Sequence, residues 1–195
     1  MWRDELLAFN GRFPHPAWGP AHCRRVLALA SSLAREGGAD TDEDALFAAA
    51  YLHDLGAFPP YRREGVDHGA RSVEVAVEYL RTTDFPAGKT DLTAAIIGGH
   101  VFDAAPAEPE AVFFHDADLL DFLGAIGAAR ILSITGLDDW APDLPAAVRL
   151  MRRLAQELPG RLLTDPGRRL GRARLLETEA FLAALAGETR DFETL

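Results

Sequence analysis

Apolar residues recur along the chain with the 3.6-residue period of helices, and runs of β-branched residues alternating with polar ones are missing. The first long periodic segment runs from about Trp18 to Glu36, where Val26, Leu29, Ala30 and Leu33 share one face, and Gly37-Gly38 stops it. Thr41 reads as the N-cap of a second helix, with Asp42, Glu43 and Asp44 in a first turn whose dipole favours acids. That helix carries Leu46, Phe47, Ala50 and Tyr51, ends near Leu55-Gly56, and is followed by a loop forced by Pro59-Pro60. Further helices are predicted over Asp67 to Arg81, Asp91 to about His100, Glu110 through Leu123, Ala125 to Ser133 after a glycine bend, Leu144 to Leu158, and Asp165 to Leu185. The stripes Val73-Val77-Leu80 and Leu175-Leu182-Leu185 read as core. The fold class is all-α, a single-domain helical bundle over residues 1–195.

A chain of 195 residues, 48% of them hydrophobic, can build one substantial core. No apolar run is long enough for a membrane span. The acidic start Met1-Trp2-Arg3-Asp4-Glu5 lacks the basic and then apolar pattern of a secretory signal. One cysteine, Cys23, permits no intramolecular disulfide, so a reducing, cytoplasmic setting is the expectation. The formal net charge of −10 disfavours a nucleic-acid polymer as partner, because an acidic surface repels polyanions. A small phosphorylated substrate needs only a local positive site.

Six histidines stand at positions 15, 22, 53, 68, 100 and 115. Four of them, His22, His53, His68 and His100, fall near helix ends or polar loops, where bundle sites are commonly built. Tyr51-Leu52-His53-Asp54-Leu55-Gly56 sets an imidazole beside a carboxylate at the C-terminal end of an apolar helix. The dipole and burial both disfavour that carboxylate, and a divalent cation would reverse the sign. The pair alone says little, since His115-Asp116 repeats it. His15, between two prolines, reads as surface loop, His115 as structural, and Cys23 as a packed small residue. Arg62, Arg63, Arg71, Lys89 and Arg130 are candidate phosphate ligands.

Taken together, the constellation resembles the HD-domain phosphohydrolase superfamily, which carries one His, a later His-Asp doublet and a distant Asp. It is most similar to a group of small bacterial HD phosphohydrolases. The matching stretches are His53-Asp54-Leu55-Gly56, Asp67-His68-Gly69-Ala70-Arg71-Ser72, Ile96-Ile97-Gly98-Gly99-His100, Asp116-Ala117-Asp118-Leu119-Leu120-Asp121 and Gly124-Ala125-Ile126-Gly127-Ala128-Ala129-Arg130. Leu163-Thr164, Gly167-Arg168, Arg174 and Phe181-Leu182 extend the likeness into the tail. The chain departs from the group between Thr135 and Pro145, where relatives carry a glycine-rich insertion and this sequence is short and rich in Asp and Pro.

The resemblance implies an HD-type bundle with a metal-site core over about 18–135 and C-terminal helices 144–186 packed on it. It implies one or two divalent ions (Mn, Mg, Co, Ni, Fe or Zn), the first held by His22, His53, Asp54 and Asp118. A second would be bridged by Asp54 and held by His68 and His100. Among Asp116, Asp118 and Asp121 it selects Asp118 as ligand, with Asp116 capping or solvent-exposed and Asp121 orienting a ligand His or pairing with Arg130. It implies Asp54 and His53 as the catalytic pair and hydrolysis of a small phosphorylated molecule, a nucleotide by analogy; Arg71, Arg130 and Lys89 are the candidate substrate contacts by their charge. A homo-oligomer stays open. The alternatives are an HD-type di-iron oxygenase and a non-catalytic metal- or nucleotide-binding regulatory module.

Overall fold

A computed structural model describes residues 1–195. Nine α-helices account for the regular structure, and there are no strands: α1 Trp2–Asn10, α2 Pro20–Glu36, α3 Glu43–Leu52, α4 His68–Leu80, α5 Thr90–Gly98, α6 Pro109–Leu120, α7 Gly124–Ser133, α8 Leu144–Glu157 and α9 Asp165–Glu188. Short 3₁₀ turns lie at Leu55–Ala57, Ala87–Lys89 and Leu158–Arg161. No helix is long and apolar enough to cross a membrane.

The interior helices are the ones without an exposed face. In α6 every residue from Phe113 to Leu120 is buried, and in α3 all but Phe47 from Ala45 to Leu52 are. A helix with no solvent-facing side sits inside the bundle, and α6 takes His115, Asp116 and Asp118 into the interior with it. Accordingly α2 packs on α6 and α3, and α3 on α5, which also meets α4 and α6. Phe114, Leu52, Ile96, Ile97, Leu119 and Leu120 form the centre of the core. On the far side α9 lies against α7, α6 and α8.

Several helix ends differ from the sequence expectation. Helix α1 carries too few core positions to register as periodic, with Leu6, Phe9 and Asn10 buried. The N-cap of α3 is Asp42 rather than Thr41, its carboxylate accepting from the Asp44 and Ala45 amides at 3.0 and 2.9 Å. Helix α3 stops at Leu52, so His53 and Asp54 leave the helix before the 3₁₀ turn. The core row of α4 is Ser72, Val75, Ala76 and Leu80; Val73 and Val77 are only half-buried. Leu175, Leu182 and Leu185 are likewise half-buried, and Gly171 and Thr178 make the closer contact.

Candidate metal centre

Four helix termini converge on one point. His22 sits in the first turn of α2, His53 caps the end of α3, His68 opens α4, and His100 follows the end of α5. Each of the three buried rings is fixed by its Nδ1. His22 Nδ1 lies 2.7 Å from Asp121 Oδ2, His53 Nδ1 lies 3.0 Å from Ala50 O, and His100 Nδ1 lies 2.5 Å from Ile97 O. In a neutral ring so held, Nδ1 carries the proton and Nε2 the lone pair, and all four Nε2 atoms face inward.

These Nε2 atoms form two pairs. His22 and His53 approach to 3.1 Å, and His68 and His100 to 3.2 Å. Asp54 stands between the pairs. Its Oδ2 lies 3.5 Å from His22 Nε2 and 3.2 Å from His53 Nε2, while its Oδ1 lies 3.9 Å from His68 Nε2 and 3.8 Å from His100 Nε2. Asp118 Oδ1 adds to the first pair, 3.2 Å from His22 Nε2 and 3.9 Å from His53 Nε2. Two groups therefore could hold a metal ion, His22–His53–Asp54 and Asp54–His68–His100.

The donor set fits that use. Two nitrogens each about 2.1 Å from one ion are separated by roughly 3.0–3.4 Å in octahedral or tetrahedral geometry, which the observed pairs match. Neutral imidazole with carboxylate suits borderline and hard divalent ions. Only His68 among the four rings is well exposed, with 43% of its side chain accessible, which leaves the second group open to solvent on one side.

The electrostatics point the same way. Burial and the Arg130 charge both push the His22 imidazole down, yet hydrogen bonds to Asp118, Asp121 and Asp54 prevail and raise its pKa to about 9. Burial drives His100 down to about 4, so it is neutral at ordinary pH. For Asp54, burial would raise the carboxyl, but the charges and hydrogen bonds of His53 and His22 hold it well below the usual carboxylate range. Asp118 is held low against its burial by His22. Metal-free, the cluster balances its carboxylates with a proton on His22; a divalent cation can take that proton's place.

Asp121 is the hub behind the cluster. Besides His22 it accepts from Arg25, Nε to Oδ1 at 2.9 Å and Nη2 to Oδ2 at 2.9 Å, and pairs with Arg130 Nη1 at 3.0 Å. Burial raises its carboxyl, but these partners hold it far below the ordinary range. Arg25 was not singled out from sequence, although it lies one turn from His22 on the same helix. Asp116 proves fully buried rather than solvent-exposed. It caps a distant segment, accepting from the Leu163 amide at 2.7 Å, the Thr164 amide at 2.8 Å and Thr164 Oγ1 at 2.6 Å.

The cluster opens into a cleft of about 760 Å³ lined by Asp54, His68, His100 and Asp118, and also by Arg62, Arg63 and Arg130. Two candidate substrate contacts fall elsewhere. Lys89 is ion-paired with Asp42 at 2.9 Å and Asp44 at 2.8 Å, fastening the start of α5 to that of α3. Arg71 is buried beneath the cleft-side loop, donating to Tyr61 O at 2.8 Å and to Glu74 at 2.5 Å. Neither residue lines the cleft. His15 is half-buried, stacked on Trp18, and Cys23 is a buried free thiol that burial pushes up to about 12, which removes it as a nucleophile. His115 is buried, its Nδ1 bonded to Gly99 O at 3.1 Å.

A family model described as HD domain matches residues 21–123, a span that includes every ligand candidate from His22 to Asp118. Solved structures share the fold over nearly the whole chain. A predicted HD superfamily hydrolase from an uncultured Thermotogales bacterium is 23% identical, with a TM-score of 0.66 over 96% of this chain and 91% of its own. YpgQ of Bacillus subtilis in complex with ADP is 22% identical, with a TM-score of 0.69 over 95% of this chain and 97% of its own. A Lactobacillus plantarum protein is 22% identical, with a TM-score of 0.69 over 95% of each chain. No curated protein matches the sequence.

Proposed function

Because the chain belongs to the HD domain family, we propose that it is a metal-dependent phosphohydrolase, cleaving a phosphate ester or anhydride bond in a small phosphorylated molecule, a nucleotide. The observation that carries this reading is the position of Asp54, whose two oxygens face two separate histidine pairs. In this reading His22, His53, Asp54 and Asp118 hold one divalent ion, and Asp54, His68 and His100 hold a second.

Ions held there would supply Lewis acidity, acidifying water and neutralising charge on a phosphoryl group. The protein's own part is positional. Backbone carbonyls and Asp121 lock the buried rings, so the donor atoms need no reorganisation on loading. Arg62 and Arg63 add positive charge at the cleft rim, within reach of a phosphate tail. The cleft volume suits a nucleotide-sized ligand, and the ADP held by the Bacillus subtilis protein of like fold supports that choice.

A screen of nucleoside mono-, di- and triphosphates with Mn, Co, Ni and Mg tests the reading. Metal-dependent release of orthophosphate or pyrophosphate is the expected result and identifies the bond cleaved. A metal-replete protein inert to the whole panel would contradict it, and iron-dependent oxygen consumption would replace it with oxygenase chemistry.

A further inference from the structure

Beyond the histidine cluster the cleft has a second character. Four aromatic rings on its lining form a ladder, Trp18 to Trp140 at 5.8 Å, Trp140 to Phe122 at 6.1 Å, and Phe122 to Phe102 at 5.5 Å between centroids. They come from four separate places in the sequence: the loop before α2, the segment between α7 and α8, the turn after α6, and the loop after α5. A fold burying these rings for stability alone would cover them, yet Trp140 is 45% exposed and faces the cleft.

The ladder is held in place rather than loose. His15 stacks behind Trp18 at 4.1 Å and 18°, and its Nδ1 accepts from the Ala17 and Trp18 amides at 3.2 Å each. The Trp140 amide donates to Asp138 Oδ1 at 2.9 Å, and the Gly136 amide donates to Ala141 O at 2.8 Å, closing the short segment that carries Trp140. This is the Asp- and Pro-rich stretch in which the chain departs from the group it resembles.

Arg130 connects the ladder to the metal centre. Its guanidinium lies 4.2 Å over the Phe122 ring and 3.0 Å from Asp121, which in turn holds His22. The side chain is 3% exposed and lines the cleft; Nε donates to Ala17 O at 2.7 Å, Nη1 is ion-paired with Asp121, and Nη2 has no partner. The unused Nη2 donors of a guanidinium at a cleft wall suit an acceptor such as a phosphate oxygen. Candidate metal-binding groups, a guanidinium with a free Nη2 and an exposed stacking surface thus line one cavity. A ligand matching all three carries a phosphate chain at one end and a flat aromatic group at the other.

We propose that the Trp18–Trp140 end of the cleft is the base subsite of a nucleoside phosphate, with the base stacked on Trp140 and Trp18 and a bridging phosphate accepting from Arg130. The proposal rests on the nucleotide reading above. Stacking is tolerant of base identity, so the subsite selects for the presence of a base more than for its sequence letter.

The test compares ATP with inorganic tripolyphosphate, which has the phosphates but no base, in the metal-loaded protein. Trp140→Ala is expected to raise KM for ATP about five- to a hundredfold and to shift KM for tripolyphosphate far less, and Trp140→Phe is expected to recover most of the ATP affinity. Equal KM changes for both substrates, or no change for ATP, overturn the proposal. Calorimetric titration with adenosine separates the subsite from the chemistry: binding weakened in Trp140→Ala supports it even if no phosphate is released. No adenosine binding, or binding unaltered in the variant, overturns it while leaving any observed hydrolysis untouched.

Discussion

His22 Nδ1 donates to Asp121 Oδ2 across 2.7 Å, joining the first turn of α2 to the residue that closes α6. The bond spans 99 positions of sequence and fixes which nitrogen of His22 faces the cluster. Asp121→Asn keeps the shape but can present an amide donor to the ring. It is expected to weaken metal binding about 10- to 100-fold while the helices persist. Asp121→Ala also strands the buried Arg130 charge, and a destabilisation of about 3–5 kcal/mol is expected by denaturant titration.

Asp116 and Asp118, two residues apart, face different surroundings, the one Leu163 and Thr164, the other His22 and His53. Asp116→Ala leaves the part-buried Leu163 and Thr164 amides without their acceptor, and a loss of about 1–3 kcal/mol is expected. Thermal denaturation and limited proteolysis near the start of α9 should report that loss, with metal content kept. Asp118→Ala should reverse the pattern, losing metal with the fold intact.

Gly56 carries a steric requirement that reaches the second metal group. A Cβ there would fall 2.2 Å from His68 O and 2.7 Å from the Ser72 amide, while its own amide donates to Ser72 Oγ at 2.8 Å. Gly56→Ala must push the first turn of α4 away, carrying His68 with it. Bound metal measured by elemental analysis is expected to fall from two ions to one, with a stability loss of about 1–3 kcal/mol.

The pH dependence follows from His22. Its pKa is raised from 6.5 to about 9 in the folded, metal-free chain. The stability this contributes is complete below pH 6.5 and is lost as pH rises through 9. The melting temperature of the metal-free protein is therefore expected to fall between pH 7 and 9. Metal displaces the same proton, so apparent affinity at the first group should rise with pH over that range, by up to about tenfold per unit. Calorimetry in buffers of different ionisation heat should show about one proton released there at pH 8. His100, at about 4, has none to give.

Much of this architecture was legible from periodicity and from helix caps. The eight periodic helices appear close to their expected limits because glycine, proline and capping carboxylates punctuate them locally. Helix α1 escaped because a nine-residue helix with three buried positions carries little period. The histidines and aspartates that the structure brings together are those the resemblance to the HD superfamily implies. The roles of Lys89 and Arg71 could not, since a charged side chain's partner is set by which helix packs beside it: Asp42 and Asp44 for the one, Glu74 and the Tyr61 carbonyl for the other. Arg25, Trp18 and Trp140 reach the site only through tertiary contacts, and nothing in their local sequence marks them.

Manganese soaked into crystals of the protein and located by anomalous scattering shows whether Asp54 joins two ions. Two peaks are expected, about 3.5–4 Å apart, one between His22 and His53 and the other between His68 and His100, with Asp54 touching both. Density away from Asp54, or none at saturating manganese, would contradict the account.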